Sequence, residues 1–242
     1  MNFQLIETAL QNGKVKELFD SVNAVLPLEF EPSQDTAWSI TIINNKAKIE
    51  FTPTENPAAA LAHELLHAKL LIDGYTPYLT TVSMDGRDHT LIAVLEELNN
   101  HLQHHKFFSL FEDLGLSAIH FYGDCDVDSY ARTSQWLDRL PPSRHTGHLL
   151  VLFLTVIGPG GAGDENERIA LRNQFERHCS VREWEMLKTI EAEIENWKKS
   201  STLNAGPTII RILKCLNIFD RTWVGTAQDF PHAGLFVDQR FG

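Results

Sequence analysis

Two histidines four residues apart frame a glutamate in His63-Glu64-Leu65-Leu66-His67, an H-E-x-x-H pattern. At i and i+4 on a helix, two imidazoles share one face about one turn apart. One Zn²⁺ can then reach a ring nitrogen of each, at about 2.0–2.1 Å. The glutamate after the first histidine does not bind the metal in this pattern. It takes a proton from the water that the metal activates and passes it to a leaving amine. A catalytic zinc also needs a third protein ligand and an open fourth position. Residues 95–105 are the source expected for that ligand. On a helix, Glu97, Asn100, His104 and Phe108 form one stripe beside an apolar seam of Leu91, Leu95, Leu98 and Leu102. Glu97 is the expected third ligand, with Glu96 on the other flank as its rival. His104 is expected as a donor to a developing oxyanion, or as the third ligand in place of Glu97. Asn100 would orient either one.

The motif needs a rigid carrier, and the sequence marks one. Asn56 suits an N-cap and Pro57 the first helical position. Residues 58–72 are rich in Ala and Leu, and Gly74 stands where a C-terminal cap belongs. Upstream, residues 38–43 and 46–51 alternate around Asn44-Asn45, which predicts a β-hairpin whose turn uses the tolerance of Asn for positive φ. A sheet edge next to the motif helix can form one wall of a substrate cleft. A second long helix is predicted over 91–114, ended by Gly115.

Around these elements, residues 3–26 read as an amphipathic helix with Gly13 as a possible interruption, and 27–34 as a loop. Residues 75–89 read as a polar loop with room for a short strand near 79–82. Residues 117–144 are mixed, with Pro141-Pro142 as a break. The apolar run 149–157 fits a buried strand or a buried helix equally. Charged amphipathic helices are expected over 164–179 and 181–199, the latter turning Trp184 and Trp197 inward, and another helix over 207–217. The last 20 residues read as irregular. The expected fold is α+β and mostly helical. A core of hairpin, motif helix and second ligand helix occupies 1–116, and a mainly helical part, 117–242, packs on it or continues it as one domain.

With these elements placed, the sequence resembles the small gluzincin-type metallopeptidases, and most closely the ImmA/IrrE-type group. The likeness covers roughly residues 38–114. Members have a small sheet, an H-E-x-x-H helix and a second helix that supplies a glutamate about 25–30 residues later, a His₂Glu zinc site. The resemblance implies His63 and His67 as ligands and Glu64 as general base. The group's second motif resembles E-x-x-A-N-x-F-A. Glu96-x-x-Asn99-Asn100-x-Leu102 matches it in part, which favours Glu96 over Glu97. Leu66 stands where the group often has glycine. The resemblance also implies cytoplasmic action, typically on a repressor protein.

Composition narrows the alternatives. The 242 residues carry 21 Lys plus Arg against 32 Asp plus Glu, a net charge of -11. Phosphate contacts need cations, so nucleic acid is not an expected partner. Cys125, Cys179 and Cys215 lie far apart, which excludes a disulfide framework and a thiolate zinc finger. The first residues lack the basic start and apolar core of a secretory leader, and no apolar run is of membrane-spanning length, so a cytoplasmic chain without membrane contact is expected. Gly158-Pro159-Gly160-Gly161-Ala162-Gly163 satisfies G-x-G-x-x-G. However, Pro159 removes a donor, acidic residues 164, 165 and 167 follow, and the next element is a helix followed by another helix, so it reads as a loop. Asp124-Cys125-Asp126-Val127-Asp128 lacks the Gly and Glu that a calcium loop requires at its sixth and twelfth positions. Arg144-His145-Thr146-Gly147-His148 reads as a loop, with anion binding or lining the cleft as the alternative. The expected activity is zinc-dependent hydrolysis of a protein or peptide. The alternatives are a zincin-like module that holds metal without cleaving, and a helical interaction protein with packed histidines.

Overall fold

The computed structural model describes residues 4–34, 37–80, 89–122, 129–141, 146–160, 164–216, 221–226 and 235–238. At the start of the chain, two helices replace the single amphipathic one expected, α1 (Gln4–Ala9) and α2 (Gly13–Val25). Asn12 sets the break. Its side chain accepts hydrogen bonds from the backbone N–H groups of Lys14 and Val15 and so begins a new helix. The segment expected as a loop is instead strand β1 (Leu28–Pro32), paired in parallel with β3 (Lys46–Phe51). Leu28, Glu29, Phe30 and Glu31 do alternate, but the run is short and lies between Pro27 and Pro32, which read as loop, and its partner is remote in sequence. Glu29 and Glu31 reach Lys46 and Lys48 across the pair.

The hairpin forms as expected. β2 (Ser39–Ile43) runs antiparallel to β3, and Asn44 and Asn45 take φ of 52° and 60° in the turn. The sheet order is β1-β3-β2, and β3 buries Ala47, Ile49 and Phe51. The motif helix is α3 (Pro57–Ile72), with Gly74 at φ 107° beyond its end. Asn56 occupies the N-cap position but its side chain caps nothing. Nine of the sixteen residues of α3 are buried, and α1, α2 and β2 all pack on it. Each of its buried leucines contributes about 1.5–3 kcal/mol of burial.

Helix α4 (His89–Asp113) spans the predicted second helix, and Gly115 beyond it takes φ 80°. The chain forms two interleaved compact units: residues 1–73, 106–129 and 159–164, and residues 74–105, 130–158 and 165–242. The division falls inside α4, which is unbroken.

The second unit holds a sheet of order β4-β5-β6, built from β4 (Leu79–Thr80), β5 (Arg221–Gly225) and β6 (Leu235–Asp238), all antiparallel. The strand expected near 79–82 is present, and the end of the chain is not wholly irregular. The pairing of Leu79 with Gly225 joins segments that no local pattern connects. Helices α5 (Ser129–Arg139), α6 (Thr146–Ile157), α7 (Glu165–His178), α8 (Val181–Lys199) and α9 (Gly206–Leu216) complete this unit. α6 settles the ambiguous apolar run as a helix. Phe153 on it meets Phe175 at 5.3 Å and Trp184 at 5.9 Å. Ser180 and Glu183 form a capping box at the start of α8. Near its end Trp197 is buried and donates to the Leu102 carbonyl at 2.9 Å. The result is the expected mostly helical α+β architecture. Among the described residues no helix is long and apolar enough to cross a membrane. The Asp124–Asp128 stretch lies outside the described residues, as do Arg144 and His145.

Asn99 anchors the first half of α4. Its amide donates to the carbonyls of Tyr78 (2.6 Å) and Leu95 (2.8 Å). Its oxygen accepts from the Tyr78 N–H and the Tyr75 hydroxyl. The sequence presents Asn99 only as part of a motif match; here it is a buried polar clamp. Asn99→Leu leaves the Tyr78 backbone groups unpaired and should cost about 2–4 kcal/mol in urea unfolding. A loss below about 1 kcal/mol would mean that water replaces the amide.

Candidate metal centre

The α3 backbone places His63 and His67 one turn apart, as the spacing requires. Their Nε2 atoms stand 3.2 Å apart. Two nitrogens held tetrahedrally at a zinc–nitrogen distance of 2.0–2.1 Å are about 3.3 Å apart. The observed separation therefore fits a shared ion. A third imidazole completes the set. The ligand atoms of His63, His67 and His104 all lie within 4.8 Å of one another, a group that can hold a metal ion. His104 stands on α4 three residues before Phe107, so one unbroken helical turn joins it to a side chain packed on both motif histidines.

That packing is aromatic. Phe107 meets the His67 ring edge-on at 4.8 Å and the His63 ring at 5.6 Å. Phe121 lies 4.8 Å from the His63 ring, with Tyr122 next to it at 6.2 Å. Phe121 is in turn held by Phe108 and Phe111, at 4.9 and 5.0 Å. Burial pushes the His63 pKa down to about 4, against the opposing pull of a backbone hydrogen bond with Phe121. His63 is thus neutral near pH 7, the form that a metal ligand needs.

Gly160, in the glycine-rich stretch whose residues 161–163 lie outside the described residues, serves this wall. A helix, not a strand, precedes it, so the nucleotide-site context is missing. Gly160 takes φ 69°, and a Cβ there would come within 2.9 Å of the Phe121 Cβ and 3.0 Å of the Phe108 ring. Only glycine fits that position without moving the ring behind His63.

The remaining candidates divide. Glu64 is buried, 7% exposed, directly after His63 on α3. Glu97, the expected third ligand, is not in the histidine group; it precedes His104 on α4 by seven residues, about 10 Å along the axis. Burial, then the neighbouring Glu96, raises its pKa. Glu96 is exposed and also outside the group. Asn100 is half-buried, and it is Asn99 that makes the structural bonds. The stripe on α4 contained His104, but helical periodicity names a face and not the rung on it. Phe107, Phe121 and Gly160 carried no sequence signal beyond apolar or flexible character.

Two more histidines lie close by. His101 packs against His104 with ring centroids 5.7 Å apart. Burial lowers the pKa of His101 to about 3, helped by His105, and that of His105 to about 4, helped by Lys198. No protein-family model matches the chain, and no curated protein or solved structure matches it.

The protein should bind about one zinc per chain. His63→Ala, His67→Ala and His104→Ala should each lower affinity at least tenfold in a competition titration, while Glu97→Gln retains it. Retention in His104→Ala with loss in Glu97→Gln would move the third ligand to Glu97. Gly160→Ala should weaken both stability and zinc binding by displacing Phe121. The pH dependence follows from the three depressed histidines. Their unfolded pKa is near 6.5 and their folded pKa near 3–4, so the unfolded chain binds more protons between those limits. The metal-free protein should therefore lose stability steadily as pH falls from about 6.5 to about 4. His105→Leu should make that slope shallower, and an unchanged slope would show that His105 does not stay neutral.

Proposed function

We propose that the protein is a zinc-dependent peptidase whose metal is held by His63, His67 and His104. The observation that carries this reading is the approach of three imidazoles to within 4.8 Å, with a buried glutamate next to the first of them. A divalent metal there supplies a Lewis acid and lowers the pKa of water. Three histidine ligands would leave a fourth position for water or substrate, as in catalytic rather than structural zinc sites. As a ligand, His104 gives up the alternative role of oxyanion donor.

Glu64 has one role in this reading. Its carboxylate accepts the proton of the attacking water and returns it to the amine as the peptide bond breaks. An H-E-x-x-H pair that only stored metal would have no need of a glutamate at that position. The aromatic wall of Phe107 and Phe121 fixes the imidazole planes and keeps water from the back of the His63 ring. The likeness to the small gluzincins supports a peptide bond as the target, and a specific protein substrate in a regulatory role. The three-histidine donor set departs from the His₂Glu pattern of that group.

Glu64→Gln should keep the zinc stoichiometry of the wild type and lower cleavage of fluorescently labelled casein about 10²–10⁴-fold. Chelation should abolish cleavage and added zinc should restore it. Equal cleavage by Glu64→Gln would remove Glu64 as the base. Stoichiometric zinc with no cleavage of casein or of a quenched peptide library would leave a metal-holding module that does not hydrolyse.

A further inference from the structure

A concavity that plays no part in the metal centre lies wholly within the second unit. Helix α5 and the residue after it present Trp136, Arg139 and Leu140 at i, i+3 and i+4. Helix α6 presents His148 and Leu152 at i and i+4, and Ala93 of α4 completes the wall. Residues at these spacings share one helix face, so two helices offer matched faces to one space. The cavity measures about 360 Å³, near the lower end of the range of about 300–1,000 Å³ for small-molecule sites. Its wall is almost wholly apolar.

Two features say what fits. Trp136 is 51% exposed although it lines the cavity, so a large indole face stands open at the mouth. That costs hydration free energy and gives a platform for a flat or branched apolar group. Arg139 lines the same wall while remaining exposed, the arrangement in which an arginine stem packs on apolar surface and its guanidinium reaches solvent. It forms no ion pair among the described residues, whereas the arginines 168, 172 and 211 all hold carboxylates. With no carboxylate paired to it among the described residues, Arg139 is placed to meet an anion beside the apolar hollow. His148 adds an imidazole on the facing helix.

We infer that this cavity binds a small amphipathic organic anion. The apolar body lies against Trp136 and Leu152, and a carboxylate or sulfonate meets Arg139 at the mouth. An apolar ligand alone would leave the cation unused, and an inorganic anion would leave the hollow unfilled. The site is separate from the metal centre and does not depend on the peptidase reading.

The test uses the full zinc-loaded chain and two probes of the same shape, anilinonaphthalene sulfonate and uncharged phenylnaphthylamine. The sulfonate should bind saturably at one site per chain and quench Trp136, with the quenching lost in Trp136→Phe. The uncharged probe should bind about ten- to a hundredfold more weakly, and Arg139→Met should weaken the sulfonate by a similar factor. Ala93→Phe, at an exposed position, fills the cavity from its rim and should abolish binding while zinc content and melting temperature stay unchanged. Decanoate should compete, and decanol should compete poorly. Equal affinity for the two probes, or sulfonate binding untouched by Ala93→Phe, would overturn the inference. A concentration-dependent dimer that Ala93→Phe dissociates would also overturn it, by giving the hollow to a second copy of the chain.

Discussion

An imidazole on a buried helix loses its hydration, and every other feature of the metal centre answers to that loss. Helix α3 is apolar on most of its circumference, with α1, α2 and β2 packed on it. Such a helix is held by its burial and not by its caps, which is consistent with an Asn56 side chain that caps nothing. Polar side chains on it have few places to go. His63 and His67 turn toward each other, 3.2 Å apart, and the rings of Phe107 and Phe121 close around them. Burial holds His63 uncharged and aromatic edges restrict its rotation. Neutrality and fixed orientation are the two properties that a metal ligand requires before the metal arrives.

The third imidazole depends on α4 as a rod. Two anchors fix the part of that helix ahead of His104: the Asn99 clamp on residues 75–78 and the Trp197 bond to Leu102. Phe107 and Phe111 fix the part beyond it, through Phe121. His104 sits between these anchors and is only 1% exposed. Because the helix is unbroken, a shift at either end would carry the imidazole with it. Gly160 belongs to the same chain of support, since its missing side chain is what lets Phe121 stand behind His63.

What could be read from the sequence follows from how local each determinant is. The motif helix was legible because Pro57, the Ala/Leu run and Gly74 act within one element. The hairpin was legible because two adjacent asparagines supply the positive φ that its turn demands. β1 was not, because its short alternating run lies between two prolines and its partner β3 is not its neighbour in the chain; β5 was not, because one of its partners is the distant β4. α6 was ambiguous because a run of buried apolar residues has no polar face to reveal its period. At the centre, H-E-x-x-H marked His63, Glu64 and His67 directly. The choice among Glu96, Glu97 and His104 turned on which rung of α4 comes level with α3. That is a tertiary quantity, which the helical stripe of α4 does not encode.

The histidines that do not join the triad bear on why the site has this form. His101 Nδ1 and both ring nitrogens of His105 are buried with no hydrogen-bond partner among the described residues. Each such atom costs about 1–3 kcal/mol against an apolar side chain of similar size. A segment selected only for packing would carry leucine there, as it does at Leu98 and Leu102 on the same face of α4. Local rules are most often broken where function sets the residue type, and here they are broken within one turn of His104. The same physics then couples metal to fold. An ion that binds only the folded chain adds about 4 kcal/mol of stability at a thousandfold excess over its Kd, comparable to what these buried nitrogens remove. Metal-free and metal-loaded chains should therefore differ most in the stability of α4, the helix that carries both the third ligand and the unsatisfied imidazoles.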